Sequence, residues 1–347
     1  MPLSARSYFV QQLLRWNRLA NKRHMPWKGE KDVYKIWLSE IILQQTRVEQ
    51  GLSYYEKFIN DFPDVHALAN ASDTRVMKLW EGLGYYSRCR NLLQTARMVQ
   101  DIYEGHFPKS YETLLKLPGV GPYTAAAISS FAANAPYAVV DGNVIRVLAR
   151  FFGVNRPAGD AAGKKVFEQL AQDILPNGRS AVYNQAIMDF GATVCKPAAP
   201  SCGTCMLRSR CYALNQHAVS SLPVKRIRPE KKDRYLHFIY IQYKGKVCIV
   251  QRRQKDIWQG LYQLPAIETS SKNFPAHFRP ILTSQPKLWD DTDYTQVLTH
   301  QKIHARFYRI SVIKKPEIQD GLWINEKELN EFPMPKVLVH FLKNIHK

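Results

Sequence analysis

Four cysteines crowd into 17 positions of this chain: Cys195, Cys202, Cys205 and Cys211, with six, two and five residues between successive members. Thiolates spaced this closely can converge on one metal centre. Structural zinc usually draws on two short Cys/His pairs, and here only Cys202 and Cys205 form one. The unequal spacing fits a single loop wrapped around a cubane iron–sulfur cluster better, with zinc left open as the alternative. A centre ligated on all four sides has no position for substrate, so its expected role is structural. Lys196, Arg208 and Arg210 lie in the same loop and would make it a phosphate-binding surface.

Two acids stand in unusual settings. Glu40 lies in Ile36-Trp37-Leu38-Ser39-Glu40-Ile41-Ile42-Leu43, an almost wholly apolar helical run. No rotation of that helix gives Glu40 an all-polar face. A desolvated carboxyl has a raised pKa and can keep its proton near neutrality, as a general acid must. Asp141 follows Ala138-Val139-Val140 and opens Gly142-Asn143-Val144-Ile145-Arg146-Val147. It is placed to cap that helix and, ionised there, to face a developing cation. One neutral and one ionised carboxyl suit cleavage of a glycosidic bond through an oxocarbenium-like state.

A third motif suggests what is held. Leu117-Pro118-Gly119-Val120-Gly121 joins two helical stretches, Tyr111 to Lys116 and Tyr123 to Ala133. Its glycines permit a tight turn and expose backbone N–H groups at the start of the second helix, a ready anion site. Lys and Arg total 49 against 29 acidic residues, for a formal net charge of +20. That excess attracts a polyanion, nucleic acid or an anionic membrane surface. No apolar run reaches the roughly 18 residues of a spanning helix, so nucleic acid is the expected partner. Arg6, Gln11, Gln12 and Arg15 interrupt the first twenty residues, which read as an ordinary helix rather than a secretory signal or transit peptide. With Cys89 and Cys248 isolated, a disulfide scaffold is not expected, and a reducing cytoplasm is.

Around these motifs the elements change character once. Up to about residue 216 apolar residues recur at helical spacing, as in Trp37, Ile41 and Val48; Leu92, Ala96 and Val99; or Val144, Val147, Leu148 and Phe151. From Arg234 onward the runs are rich in β-branched and aromatic residues. Tyr235 to Ile241 and Val247 to Val250 read as strands about a Lys244-Gly245 turn, Arg306 to Val312 as another strand, and Val337 to Asn344 as a closing helix. The expected organisation is a helical domain over 1–216, a basic linker over 217–232 and an α+β domain over 233–347. The helical part divides into a six-helix module at about 26–137 and a metal-loop module made of 1–25 and 138–216.

Taken together, Met25-Pro26-Trp27, Trp37 to Thr46, Gly82-Leu83-Gly84-Tyr85-Tyr86, the glycine hairpin, Val140-Asp141-Gly142-Asn143-Val144, Tyr183 to Asp189 and the cysteine loop resemble the MutY adenine DNA glycosylases of the helix–hairpin–helix superfamily. The resemblance is specific from about Trp27 to Cys211 and looser beyond. It implies a mainly α glycosylase region with an iron–sulfur loop and an α+β Nudix-like C-terminal domain. It implies hydrolysis of the N-glycosidic bond of adenine opposite 8-oxoguanine or guanine in duplex DNA, by a cytoplasmic bacterial monomer carrying a [4Fe-4S] cluster on Cys195, Cys202, Cys205 and Cys211.

By the same resemblance Glu40 protonates adenine, Asp141 stabilises the cationic sugar, and Asn143 and Tyr123 support them. Trp27, Lys28, Leu43 and Gln185 line the pocket for the flipped base. Gln44, Gln45, Thr46, Leu83 and Tyr85 wedge into the duplex and meet the opposite 8-oxoguanine, Gly119, Val120 and Gly121 grip phosphate, and His304 contributes from the C-terminal domain. The sequence departs from the family pattern at Lys28, where Arg is common, at Pro122, where Arg is frequent, and at His300-Gln301-Lys302-Ile303-His304, where the family reads His-x-Phe-Ser-His. The Asp256 to Pro265 segment fits the usual strand of a Nudix module. Only Glu268 follows it, so the metal ligands of a Nudix hydrolase are not expected.

Two rivals are weighed. A bifunctional lyase resembling endonuclease III needs a lysine for its Schiff base, and position 123 is tyrosine. A non-catalytic iron–sulfur DNA-binding protein would need no acid at position 40.

Overall fold

The computed structural model describes residues 4–224, 230–274, 287–289 and 294–345. Ser4 opens the first helix by accepting a hydrogen bond from the Ser7 amide at 3.2 Å, and α1 runs Ala5–Leu19. Then come α2 Val33–Leu43, α3 Val48–Asp61, α4 Val65–Ala69, α5 Asp73–Leu79, α6 Tyr86–Ile102, α7 Tyr111–Leu114, α8 Pro122–Ala133, α9 Gly142–Phe152, α10 Ala161–Asp173, α11 Ser180–Thr193 and α12 Tyr212–Asn215. Ala5–Leu19 is the ordinary helix expected there. Val48, grouped with Trp37 and Ile41 by spacing, starts a separate helix. Gln45 adopts a positive φ of 56° and breaks the run after Leu43.

The chain separates into two compact units. The first comprises Met1–Ala69 and Gln94–Ile227, the second Asn70–Leu93 and Arg228–Lys347. The division read from the sequence differs in placing Asn70–Leu93 with the helical half. Part of the expected linker, 225–229, lies outside the described residues.

Within the first unit, α2 is buried at every position from Val33 through Ile42 except Lys35. A helix so largely apolar is buried as a whole, and Glu40 is carried into the interior with it. Phe9, Leu13 and Trp16 on α1 pack with Val144, Val147, Leu148 and Phe151 on α9 and Tyr183, Ala186, Ile187 and Phe190 on α11. Each large side chain so buried stabilises the unit by about 1.5–3 kcal/mol. The three helices are thereby fixed against one another beneath Asp141.

The second unit is built on a mixed sheet. Its strands are β1 Lys232–Tyr243, β2 Lys246–Gln251, β3 Tyr262–Gln263, β4 Ala266–Thr269, β5 Lys287–Leu288, β6 Tyr294–Val297, β7 Gln301–Ser311 and β8 Gly321–Asn325. At the Lys244-Gly245 turn both residues have positive φ, 45° and 74°, the geometry that joins tight antiparallel hairpins. β1 pairs in parallel with β7, with Tyr235 opposite His304, and antiparallel with β2 and β4. The closing helix, α13 Lys336–Ile345, sets Phe341 flat on Phe307 at 3.7 Å. One expectation is corrected: of Asp256 to Pro265 only Tyr262 and Gln263 are strand. Asp256 to Gly260 is a turn in which Trp258 and Gly260 have positive φ, 61° and 89°, which no extended strand accommodates.

Candidate active site

Glu40 is buried on α2. The hydroxyl of Tyr123, from the first turn of α8, donates a hydrogen bond to its carboxyl. Burial, the largest influence, pushes the Glu40 carboxyl up to about 7; the Asp141 charge adds to this and the Tyr123 hydrogen bond opposes it. The same burial holds the Tyr123 phenol well above its usual range. A phenol that stays protonated is a permanent donor, so it can steady the carboxyl without competing for its proton.

Asp141 caps α9, as its position in the sequence suggests. Its Oδ1 accepts the Val144 amide at 2.7 Å and its Oδ2 accepts Asn143 Nδ2 at 2.7 Å. Burial raises this carboxyl too, while the Val144 amide, the Asn143 groups and the Arg146 charge pull it back down. Glu40 has only Tyr123 on that side of the balance. Of the two acids, Asp141 is therefore the one to carry the negative charge, and that charge helps Glu40 keep its proton.

Behind Asn143 stands a residue to which sequence reasoning gave no role. Arg146 is buried and donates to Asn143 Oδ1 at 2.8 Å, Gly191 O at 2.7 Å, Cys195 O at 2.7 Å and Gly142 O at 3.3 Å. Asp141, Asn143, Arg146 and Cys195, the first of the four clustered cysteines, thus form one chain of hydrogen bonds. Arg150, one turn on, is also buried and donates to Lys196 O at 2.7 Å, Pro197 O at 3.1 Å, Leu222 O at 3.0 Å and Cys195 Sγ at 3.5 Å. The available signal was two arginines on an otherwise apolar helix, three and seven residues after Asn143.

A second group forms on α11 and the stretch before α2. Gln185 Nε2 and Lys28 Nζ both donate to Asp189, each at 2.9 Å. Trp27 beside Lys28 is buried, with its ring edge-on to Tyr55 at 5.2 Å. Met188, one turn from Gln185, and Tyr123 pack on one apolar cluster of Ala126, Ala127 and Val139. α11 also passes so close to Asn143 that a Cβ on Gly191 would lie 2.7 Å from the Cβ of Asn143. Leu43 at the end of α2 is packed against Gly51.

Residues 38–176 match the model of the HhH-GPD superfamily of base excision DNA repair proteins, and residues 237–344 match a NUDIX domain model. An adenine DNA glycosylase of Buchnera aphidicola subsp. Baizongia pistaciae is 35% identical over 259 residues, 74% of this chain and 73% of that protein. The chain belongs to the adenine DNA glycosylase family. A second adenine DNA glycosylase, from Buchnera aphidicola subsp. Schizaphis graminum, is 29% identical and aligns over 96% of this chain and 98% of its own length. Among solved structures, a thermostable thymine-DNA glycosylase covers 61% of this chain and 97% of its own, at 29% identity and a TM-score of 0.56.

The other positions implied by the resemblance to adenine DNA glycosylases are placed as follows. Gln45 is exposed at the tip of the turn after α2, and Thr46 hydrogen-bonds back to Leu43 O. Gln44 Nε2 reaches Thr124, next to Tyr123, at 3.3 Å. In the glycine hairpin Gly119 has a φ of 74°, Gly121 caps α8 and Pro122 takes its first position. The Val120 amide is already bound to Leu117 O at 3.1 Å, so any grip on phosphate falls to its neighbours. In the second unit, Tyr85 is 42% exposed with a positive φ of 48°, whereas Leu83, expected as a wedge, is buried.

The Tyr85 hydroxyl is 2.6 Å from Thr299 Oγ1. Both residues border a cavity of about 1030 Å³ that Trp258 and His300 also line. His304 lies on β7, stacked on Tyr235 at 4.7 Å, with Nε2 on Asp233 Oδ1 at 2.6 Å. Glu268, the acid that follows the Nudix-like segment, is paired with Arg234 at 2.6 Å. Among the described residues no helix is long and apolar enough to cross a membrane.

Proposed function

We propose that this protein is a monofunctional adenine DNA glycosylase of base excision repair, hydrolysing the N-glycosidic bond of adenine mispaired with 8-oxoguanine or guanine in duplex DNA. The observation that carries the reading is the pairing of a buried, proton-holding Glu40, steadied by Tyr123, with a charge-bearing Asp141. Glu40 gives its proton to the base, so that the base leaves neutral. Asp141 faces the positive charge that builds on the sugar, held to its task by Val144, Asn143 and, through Asn143, Arg146. Water then adds to the sugar cation and its proton passes to the Glu40 carboxylate, which restores the acid. Residue 123 is a tyrosine and supplies no amine for a Schiff base, which favours hydrolysis over strand-cleaving lyase chemistry.

Lys28, Trp27, Leu43 and Gln185 form the pocket for the extruded adenine in this reading. Gln45 and Tyr85, both exposed and both with positive φ, enter the duplex. The net charge of +20 supplies sequence-independent affinity for DNA. The cavity beside Tyr85, Thr299 and His300 accommodates the strand opposite the target. A cytoplasmic monomer is the proposed form.

Cys195, Cys202, Cys205 and Cys211 would hold a [4Fe-4S] cluster. The donor set fits: the Cys205 thiol, pushed up to about 11 mainly by burial, also feels the other three, and Arg150 lies against Cys195. When bound, the cluster supplies cross-links between four points of the loop. The residues that transmit this order to the site are Arg146 and Arg150.

The test is release of free adenine from matched duplexes carrying adenine opposite guanine, 8-oxoguanine or thymine. Release from the first two and not the third is expected. No release from any of them, or strand nicking with a borohydride-trapped adduct, would overturn the reading.

A further inference from the structure

Asp189 is a buried anion for which the proposed chemistry has no use. Its side chain is fully buried and accepts four hydrogen bonds: from Asn21 Nδ2 at 2.8 Å, and from Arg23 Nη1, Lys28 Nζ and Gln185 Nε2 at 2.9 Å each. The donors come from two places. Asn21, Arg23 and Lys28 lie in the irregular stretch before α2, which is further tied by Lys28 Nζ to Arg23 O at 3.0 Å. Gln185 lies one turn earlier on α11 itself. One carboxylate therefore pins two of the residues proposed to line the base pocket.

For Gln185 the consequence is chemical as well as positional. A glutamine side chain offers an acceptor on one side and two donors on the other, and unconstrained it turns either way. Asp189 sits between a guanidinium and an ammonium and only accepts. The reversed amide would press its oxygen against a carboxylate oxygen, so the NH2 group is committed to Asp189. With one N–H on Asp189, Gln185 presents Oε1, beside its second N–H, from its half-exposed position. An outward acceptor matches an exocyclic amine, which donates, and repels an exocyclic carbonyl.

We propose that Asp189 is a positioning residue for base selectivity: by fixing the Gln185 amide in one orientation it makes the pocket accept a purine with a 6-amino group and refuse one with a 6-oxo group. This rests on the proposed function, in which Gln185 borders the extruded base.

The experiment measures single-turnover base release by the full chain from three duplexes that differ only in the target: adenine, hypoxanthine or unsubstituted purine. The variants are Asp189→Asn, Asp189→Glu, Gln185→Leu and the Asp189→Asn/Gln185→Leu double. Asn can receive either face of the amide, so Asp189→Asn is expected to lower the adenine-to-hypoxanthine ratio at least about tenfold. Asp189→Glu, still acceptor-only, is expected to keep the ratio within about threefold of wild type and so rescue selectivity. Purine, with nothing at position 6, reports general damage to the site. In the Gln185→Leu background, which has already lost the ratio, Asp189→Asn is expected to change it no further.

Equal loss of all three bases in Asp189→Asn, with the ratio intact, would overturn the proposal. So would a ratio that still moves when Gln185 is absent. Should Asp189→Asn fail to fold by thermal melting, Gln185→Leu decides alone, because an unchanged ratio there sinks the idea. Failure of wild type to release adenine from any duplex would instead refute the proposed function, and is distinguishable from these outcomes.

Discussion

The hydroxyl of Tyr123 hydrogen-bonds to the carboxyl of Glu40, joining the helix after the glycine hairpin to the buried helix α2. The contact puts a permanent donor on the acid proposed to protonate the base. Glu40→Gln keeps the size of the side chain and removes the transferable proton. It is expected to bind mismatched duplex within about threefold of wild type and to lower adenine release by at least the hundredfold typical of a lost general acid. Binding by gel shift and single-turnover kinetics check the two halves separately; wild-type release would remove Glu40 from the mechanism.

The pH profile follows from the same carboxyl. Glu40 works in its protonated form, and its pKa is raised to about 7. Release should be level below that pH and fall about tenfold per unit above it. The Tyr123 hydrogen bond favours the charged form of Glu40, so Tyr123→Phe should move the alkaline limb to higher pH. A limb that stayed in place, or moved down, would contradict this electrostatic account.

Stability should respond to pH in the matching sense. Folding raises the Glu40 carboxyl from 4.5 to about 7, so the folded state binds this proton more tightly than the unfolded chain. The contribution is complete below 4.5 and lost as pH rises through about 7. The span is worth about 3 kcal/mol at most. Glu40→Gln, which never ionises, should therefore melt higher than wild type at pH 8, with the gap closing toward pH 4.5. Thermal denaturation at the two pH values measures it.

Arg146 should matter to both stability and turnover. Removing it leaves Asn143 Oδ1 and the carbonyls of Gly191, Cys195 and Gly142 without its donors. Breaking a buried charged network costs about 3–5 kcal/mol. Arg146→Gln is expected to lower the denaturation midpoint and, because Asn143 then loses its support, to slow adenine release more than it weakens DNA binding. Equal loss of both would reduce Arg146 to a folding role.

The cysteine loop offers an independent check. Cys202→Ala removes one of four proposed ligands without touching Glu40 or Asp141. Iron per protein and visible absorbance should drop together, and melting temperature should fall, because metal-binding free energy is folding free energy in such loops. Wild-type protein purified with zinc and no iron would replace the cluster assignment.

Much of the fold was legible locally. The lone acid in the apolar run around Glu40 announced its burial, since α2 has no polar face to turn toward water. Asp141 could be read as a helix cap because capping is set by neighbours three residues away. The two-residue hairpin at Lys244-Gly245 was likewise local. The Asp256 to Gly260 turn is not legible from sequence because a positive φ at a buried tryptophan has no propensity signal. Leu83 is a wedge by the family resemblance, yet it is buried while Tyr85 projects.

What the sequence determined by itself was the inventory of the chemistry: two acids in contrasting surroundings, four thiols on one loop and a basic surface for a polyanion. Each depends on residue type and short-range spacing. Which groups meet was decided only by the tertiary structure. Tyr123 reaches Glu40 across 83 positions, Arg146 ties Asn143 to Cys195, and Asp189 gathers Asn21, Arg23, Lys28 and Gln185. Such contacts arise when helices distant in the chain bury their apolar faces together, and the polar groups carried inside must then find partners in one another.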